Sequence, residues 1–396
     1  MSASPPPQEQ QPQERRRPGL VAHVTQAHHD EGLAAALERA VAPFGGWKAL
    51  AQPGERIAVK VNLLRASAPE RAVCTNPETL RLVLRALKSV GAQPFVADSP
   101  GGPGTSALVR RTLRVSGIGD VCEQEDVEAL VADEQVTELA APRAKLFRSF
   151  PICRCFVEAD AVIQVGILKT HQLMRLTGGV KLAFGCVPGL TKAQLHVRAQ
   201  RRMDFADMLL DLYEAIGPRF TIIDGIIAME GKGPGNGTPR ALGSLFAARD
   251  CVALDAAIAD RTAHRYEDVY VLAAAERRRL IDLHRPYELA GDAIEPQHDF
   301  VAAGHDSELT VPGALAGRLG RRLLTARPRL VDESVCTRCG DCAAICGVQA
   351  ITLAPTPVYD DEKCVRCFAC TEICPTAAIS EVTPPLMRAV NRMRRR

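Results

Sequence analysis

The sequence predicts an α/β fold: a large domain with a mostly parallel sheet flanked by helices, followed by a small C-terminal α+β domain. Three observations predict it. Between residues 20 and 312, short runs of β-branched and apolar residues alternate with helix-length segments, as in sheets whose strands are joined by crossover helices. Several of these runs stop just before polar residues, where such sheets bind ligands. Near the C-terminus, eight cysteines follow one spacing twice, which marks a second and different unit.

Taken in order, residues 1–19 are rich in Pro and Gln and too poor in hydrophobic residues to fold, so a disordered head is expected. Arg15, Arg16 and Arg17 run into Pro18 with no apolar stretch behind them, which argues against an export signal. Ile57 to Leu64 (IAVKVNLL) reads as a strand. Asn76-Pro77-Glu78 then opens a helix, with Asn76 or Thr75 as cap and proline in the first turn, running to about Val90 and stopping at Gly91. Gln93 to Ala97 is the next strand; it leads into Asp98-Ser99-Pro100-Gly101-Gly102-Pro103-Gly104, after which Thr105 or Ser106 can cap a helix. Ala161 to Gly166 and Phe220 to Ile223 are two further buried strands. Asn62, Asp98, Lys169, His171 and Asp224 fall at or just beyond these strand ends and are expected to converge on one crevice. Residues 20–312 therefore form the large domain, 313–330 a basic linker helix, 331–382 the small domain and 383–396 a basic tail. Linker and tail are read as solvated, although basic stretches of this kind also suit a peripheral membrane surface.

Composition excludes several classes. A net charge of +3 gives no reason to expect nucleic acid as a partner. No apolar run reaches the length of a transmembrane segment. Neither a Walker loop nor G-x-G-x-x-G follows a first strand, so nucleoside triphosphates and nicotinamide cofactors are not supported. The six cysteines outside the repeat (Cys74, Cys122, Cys153, Cys155, Cys186, Cys251) are scattered and read as small buried thiols. With no disulfide framework, a reducing, cytoplasmic location is expected.

Chemistry in the large domain concentrates in Ile167 to His196, with Lys169, His171, Lys181, Lys192 and His196 among glycines 178, 179, 185 and 189. Glycines there let the backbone approach a ligand. The chain has 49 basic residues but only nine lysines, and five of those (Lys60, Lys169, Lys181, Lys192, Lys232) lie in the candidate stretches. Lysine is thus expected to be needed for itself, as a point charge or a desolvated amine. Lys60, Lys169 and Lys181 are expected to hold an anionic small molecule, with His171 moving a proton. Lys169, His171 and Lys181 are the catalytic candidates. Lys60, Asn62, Asp98, Ser99, Asp224 and Glu230 are the binding candidates. Asp224 to Arg240 (DGIIAMEGKGPGNGTPR) reads as a ligand-wrapping loop carrying Asp224 and Glu230. Asp250 and Asp255 are read as capping and lining a helix, and His23, His28 and His29 as surface residues.

Cys336, Cys339, Cys342 and Cys346 follow C-x2-C-x2-C-x3-C, and Cys364, Cys367, Cys370 and Cys374 repeat it 28 positions on. Ile345 and Ile373, Ala350 and Ala378, and Ile351 and Ile379 keep the same register. This spacing is similar to the bacterial ferredoxin arrangement, which implies two [4Fe–4S] clusters. In that arrangement the fourth ligand comes from the other repeat, so cluster one would take Cys336, Cys339, Cys342 and Cys374, and cluster two Cys364, Cys367, Cys370 and Cys346. A zinc module needs two cysteine pairs, not a third cysteine three residues on, twice over. Gly347 stands where proline commonly follows the fourth cysteine, as Pro375 does in the second repeat; a loosened turn is expected there.

The pieces VKVNLL (Val59 to Leu64), ADSPGG (Ala97 to Gly102), LKTHQLMRLTGGVKLAFG (Leu168 to Gly185) and DGIIAMEGKGPGNG (Asp224 to Gly237) resemble the domain-of-unknown-function family 362, iron–sulfur-centre proteins. Where that family often reads V-K-N, this chain has Val180-Lys181-Leu182. The run from His171 through Gly178-Gly179 to Lys181 and Pro188-Gly189 is also similar to lactate-racemase-type proteins, which hold a nickel pincer cofactor on a lysine. These resemblances imply an iron–sulfur redox protein, an oxidoreductase passing electrons from its clusters to an anionic small molecule, with an electron donor or acceptor protein as partner. The alternatives are a non-enzymatic electron carrier that docks to a partner, and a cofactor-dependent isomerase with structural clusters. A further cofactor or metal in the large domain stays open.

Overall fold

The computed structural model describes residues 17–102, 105–303 and 326–384. Most of the expected head (1–16), linker helix (313–325) and tail (385–396) therefore lies outside the described residues.

The large domain is built on β1 (Gly19–Thr25), β2 (Arg56–Lys60), β3 (Gln93–Asp98), β4 (Ala129–Val131), a separate hairpin β5 (Val136–Ala140) and β6 (Ser149–Cys153), and then β7 (Ala161–His171), β8 (Arg175–Thr177), β9 (Phe220–Glu230), β10 (Thr238–Ala248) and β11 (Tyr287–Gly291). Among the described residues nine strands form one sheet in the order β11-β1-β10-β9-β7-β2-β3-β4, with β8 folding back on β7. Only the pairings made by β10 and β8 are antiparallel, so the mostly parallel sheet is as expected. Helices cover both faces. Gly32–Val41, Pro77–Ser89 and Ser106–Val115 bury Leu37, Leu84 and Val109 against Ile57, Val59 and Ile163 on one side. Arg202–Ile216, Cys251–Arg261 and Tyr270–Arg277 bury Leu209, Ile258 and Leu272 against Ala58, Phe95 and Phe246 on the other.

The helix after β2 forms where its cap allows. Asn76 Oδ1 accepts from the backbone N–H of Glu78 at 2.9 Å, and Pro77 occupies the first turn, where no donor is lost. Along the sheet, the chain leaves β2 toward β3 and β4, then returns to β7 on the opposite side of β2. The order of the strands thus reverses between β2 and β7, which opens a crevice at their carboxyl ends.

Several strand boundaries differ from those expected. β2 ends at Lys60 rather than Leu64. β7 and β9 run five and seven residues further than expected, so Lys169, His171, Asp224 and Glu230 lie within strands, not beyond them. The expected ligand-wrapping loop is the β9–β10 hairpin, in which only residues 231–237 turn.

The small domain pairs β12 (Arg327–Leu330) with β15 (Ile379–Val382), and β13 (Ile351–Leu353) with β14 (Pro357–Tyr359). Arg327–Leu330 was expected to end a helix. Pro328 cannot continue one, and the strand instead pairs at the edge of a two-stranded ribbon, a position open to proline. This domain docks on the large one. Asn236 Nδ2 donates to the carbonyls of Thr371 and Cys374, both at 3.2 Å, and Thr371 Oγ1 donates to Gln172 Oε1 at 3.0 Å.

Gly347, expected to loosen a turn, has a different reason. A Cβ there would lie 3.1 Å from Ala193 Cβ and 3.2 Å from its carbonyl, on the helix Gly189–Arg198. Glycine lets the small domain approach that helix. Gly347→Val should weaken the docking by about 1–3 kcal/mol, seen as faster amide exchange across Gly189–Arg198. Unchanged exchange there would show that the contact contributes nothing to docking.

Candidate functional site

The site grows out of the end of β2. Lys60, 1% exposed, places Nζ 3.0 Å from Asp98 Oδ1 at the end of β3 and donates to the Val61 carbonyl at 2.6 Å. Asp98 also accepts from the backbone N–H of Ser99 at 2.9 Å and of Leu63. Beside them, Asn62 Oδ1 accepts from the Ile167 N–H at 2.9 Å, and Thr75 Oγ1 donates to the Val165 carbonyl at 2.7 Å. These side chains take over where β2 and β7 stop pairing. Gly185 closes over the ion pair: a Cβ there would lie 2.0 Å from Asp98 Oδ1 and 2.4 Å from Lys60 Nζ. Its role is therefore to admit the protein's own Lys60–Asp98 pair rather than a ligand.

In front of the pair is a cavity of about 90 Å³, smaller than the roughly 150 Å³ cavity that holds benzene in a protein core. Lys60, Lys169, Lys181 and Lys192 all line it. Four of the chain's nine lysines thus meet in one place, against the carboxylates of Asp98 and Glu372. Lys169 is 2% exposed and donates to the Val73 carbonyl at 2.9 Å; burial lowers its pKa to about 8. Lys192 donates to Ser99, to its carbonyl at 2.7 Å and its hydroxyl at 3.0 Å. Lys181 is half-buried, with Nζ 5.8 Å from the Phe184 ring centroid and no hydrogen-bond acceptor among the described residues. Burial depresses its pKa while Glu372 opposes the shift. Phe184 and His196 complete the wall, His196 stacking on Phe205 with centroids 4.4 Å apart.

The remaining wall comes from the small domain, through Ile345, Ala369 and Glu372. Glu372 Oε1 lies 3.1 Å from His171 Nε2, although the angle falls short of a hydrogen bond. His171 Nδ1 accepts from the N–H groups of Leu173 and Met174 at 3.1 and 3.2 Å. Those donors assign the proton to Nε2, and burial lowers the pKa of the ring to about 4, keeping it neutral. His171 does not line the cavity. The residue expected to move a proton sits behind Glu372 and positions it. Burial pushes the Glu372 carboxyl up, but His171 and Lys181 more than offset this and hold it below the usual range.

Lys60, Asn62, Asp98, Ser99, Lys169 and Lys181 are thus brought together as expected, whereas Asp224 and Glu230 are not. Asp224 accepts from His29 Nε2 at 2.7 Å, Thr79 Oγ1 at 2.6 Å and the Ile226 N–H at 2.9 Å, pinning the helix Pro77–Ser89 to β9. Glu230 accepts from the Val301 N–H at 3.0 Å. Both belong to the scaffold. Lys232 is exposed. His23, expected at the surface, is 2% exposed and bonds Ser244, and His29 is half-buried on Asp224. Asp250 caps its helix as expected, and Asp255 accepts from the N–H groups of Gly179 and Val180. Glu372 is the site residue that the sequence reading missed. Its signal was the repeat itself: Ala343-Ala344 in the first copy align with Thr371-Glu372 in the second, and both of those polar residues face the large domain.

Anion binding here should depend on pH. Lys169 loses its proton as pH rises through about 8, so affinity for oxalate should fall between pH 7 and 10, with a bound anion moving the midpoint upward. Stability changes the other way. The unfolded chain keeps that proton up to the ordinary lysine value of 10.5, so this group makes folding more favourable from pH 8 to that value. Calorimetric titration across pH checks the first sign; a flat profile would remove Lys169 from the binding charge.

None of the fourteen cysteines forms a disulfide. Cys74, Cys122, Cys153, Cys186 and Cys251 are buried and Cys155 half-buried, as small core thiols are. In the small domain, Cys346, Cys364, Cys367 and Cys370 line a second cavity with Val348, Ile351 and Tyr359. That set takes three cysteines from one repeat and one from the other. Burial raises the Cys342 thiol to about 11, and Cys339 and Cys374 are the thiols that add to the shift. Among the described residues no three His, Cys, Asp or Glu side chains gather closely enough for a single metal ion. The grouping of Cys346 with Cys364, Cys367 and Cys370 around one cavity is the kind of set, three from one repeat and one from the other, that a cube shared between repeats would need.

A three-layer α/β domain whose cavity is walled on one side by a double cysteine repeat defines an iron–sulfur protein with a large companion domain. Residues 57–260, 204 of the 396, match the family described as a domain of unknown function, DUF362, and residues 335–378 match the 4Fe-4S dicluster domain. The chain belongs to the DUF362 family. It is 33% identical over 254 residues to a thylakoid-associated protein of Synechocystis sp., covering 64% of this chain and 77% of that protein. The lactate racemase apoprotein from Thermoanaerobacterium thermosaccharolyticum superposes with a TM-score of 0.38 at 17% identity. That superposition covers 60% of this chain and 55% of the racemase, so the chain spans little more than half its length. No helix among the described residues is long and apolar enough to cross a membrane.

Proposed function

We propose that the chain is an oxidoreductase of a reducing, cytoplasmic compartment that exchanges electrons between two [4Fe–4S] clusters and a small anion held in the lysine cavity. One observation carries this reading. Lys60, Lys169, Lys181 and Lys192 share a single cavity with Ile345 and Ala369, which adjoin cluster cysteines Cys346 and Cys370. Cys336, Cys339, Cys342 and Cys374 would hold one cluster, and Cys364, Cys367, Cys370 and Cys346 the other. Each bound cluster supplies or accepts one electron at a time. A two-electron reduction of the anion X then takes two electrons and two protons to give XH2, the electrons arriving from a donor protein.

The chain's own residues do the rest. Lys181, which has no hydrogen-bond acceptor among the described residues, would pair with a carboxylate or oxoanion. Lys60, already paired to Asp98, fixes the floor of the cavity. The Lys169 ammonium, which titrates near pH 8, can give a proton to a bound oxyanion or carbon close to neutral pH. His171 and Glu372 hold the cavity wall in register with the small domain.

The test is to mix reduced holoprotein with small carboxylates and oxoanions without oxygen and follow cluster absorbance. An acceptor should reoxidise the clusters at two electrons per molecule. Cys342→Ser should abolish this while leaving calorimetric binding of the same anion unchanged. Turnover at the wild-type rate in that variant would overturn electron delivery.

A further inference from the structure

The two cysteine sets stand in different relations to the cavity. Ala369 lines both the lysine cavity and the cavity formed by Cys346, Cys364, Cys367 and Cys370. Ala369 is the residue that the two linings share. Ile345, next to Cys346, lines the lysine cavity as well. None of the residues adjoining Cys336, Cys339, Cys342 or Cys374 does so. In that second set Cys342 and Cys374 are buried and Cys336 is half-buried, but Cys339 is exposed, which no cysteine of the first set is.

The repeat register sharpens the contrast. Position 369 in the second copy corresponds to position 341 in the first. Ala369 is 4% exposed and apolar, whereas Asp341 is exposed and charged. The internal symmetry of the small domain is thus broken at the residue preceding the third cysteine: one copy turns that residue to the cavity, the other to water. Electron tunnelling weakens steeply with distance, so an apolar residue shared with the cavity on one side and an exposed cysteine on the other assign different tasks to the two cysteine sets.

We propose that the cluster of Cys346, Cys364, Cys367 and Cys370 serves the lysine cavity through Ala369, and that the cluster of Cys336, Cys339, Cys342 and Cys374 exchanges electrons with the outside. This rests on the reading above in taking the cavity as the place where the anion reacts. The experiment uses reduced, full-length holoprotein and electron paramagnetic resonance. Cys339→Ser and Cys364→Ser each replace one sulfur ligand by oxygen and so mark which signal is which. Where either variant loses its cluster, the surviving signal identifies the other. Two probes are applied, a soluble gadolinium chelate outside and oxalate in the cavity.

The chelate should speed relaxation of the Cys339-marked signal, and oxalate should shift the Cys364-marked one. The reverse pattern would overturn the assignment and leave the proposed function standing. Equal effects of both probes on both signals would overturn it too, by making the clusters equivalent. Oxalate that neither shifts a signal nor binds by calorimetry would count against the proposed function, and the inference would fall with it.

Discussion

Lys60→Met is expected to destabilise the large domain by about 3–5 kcal/mol, the usual cost of removing one partner from a buried ion pair. Lys60 and Asp98 have side chains 1% and 6% exposed, with Nζ and Oδ1 3.0 Å apart. Methionine keeps the length of the stem and removes the charge. Asp98 would then keep hydrogen bonds from the N–H groups of Leu63 and Ser99 and lose its one direct ion pair among the described residues, the other cavity lysines acting only at longer range. Lys60→Met/Asp98→Asn should recover more than half of the loss, because the amide oxygen still accepts from those N–H groups and no charge is stranded. Urea denaturation of both variants checks this. A loss below about 1 kcal/mol in the single variant would mean that the pair is solvated, as surface pairs are.

The same pair shows where sequence reasoning reaches and where it stops. The alternation of strands and helices, the capped helix after Asn76 and the cysteine repeat are local signals, and each appears where local chemistry put it. The far ends of β7 and β9 are not local. Lys169, His171 and Asp224 look like residues that end a strand, yet each finds its partner across the fold or in the following turn: the Val73 carbonyl, the Leu173 and Met174 N–H groups, and His29 with Thr79. A polar side chain satisfied in this way can lie inside a sheet. The scarcity of lysine pointed to five residues, of which Lys60, Lys169, Lys181 and Lys192 share a cavity and Lys232 does not, because an arginine-rich chain has no reason to place lysine in a cavity by default. Glu372 escaped notice because it lies inside a cysteine motif. Only the aligned Ala344 of the first copy marks it as unusual.

Lys181→Ala is expected to lower affinity for a small anion such as oxalate roughly 10- to 100-fold, from the loss of about 1.5–3 kcal/mol in a charge-assisted hydrogen bond. Its effect on stability should be opposite to that of Lys60. Burial depresses the pKa of Lys181 and its ammonium makes no hydrogen bond among the described residues; its removal takes away one of the groups that hold the Glu372 carboxyl low, and that carboxyl can answer by taking up a proton. The variant should therefore be as stable as the wild type or slightly more so, since a poorly compensated charge has been taken out of the cavity. Two lysines lining one cavity thus divide into a structural one, whose removal costs folding, and a binding one, whose removal costs only ligand. Calorimetry with oxalate and urea denaturation on the same preparations separate the two. Native mass spectrometry of oxygen-free holoprotein adds a further readout: any mass beyond the clusters that vanishes in Lys181→Ala would be a resident group of the cavity. Oxalate binding within twofold of wild type in Lys181→Ala would exclude Lys181 as the anion's partner and move that role to Lys169 or Lys192.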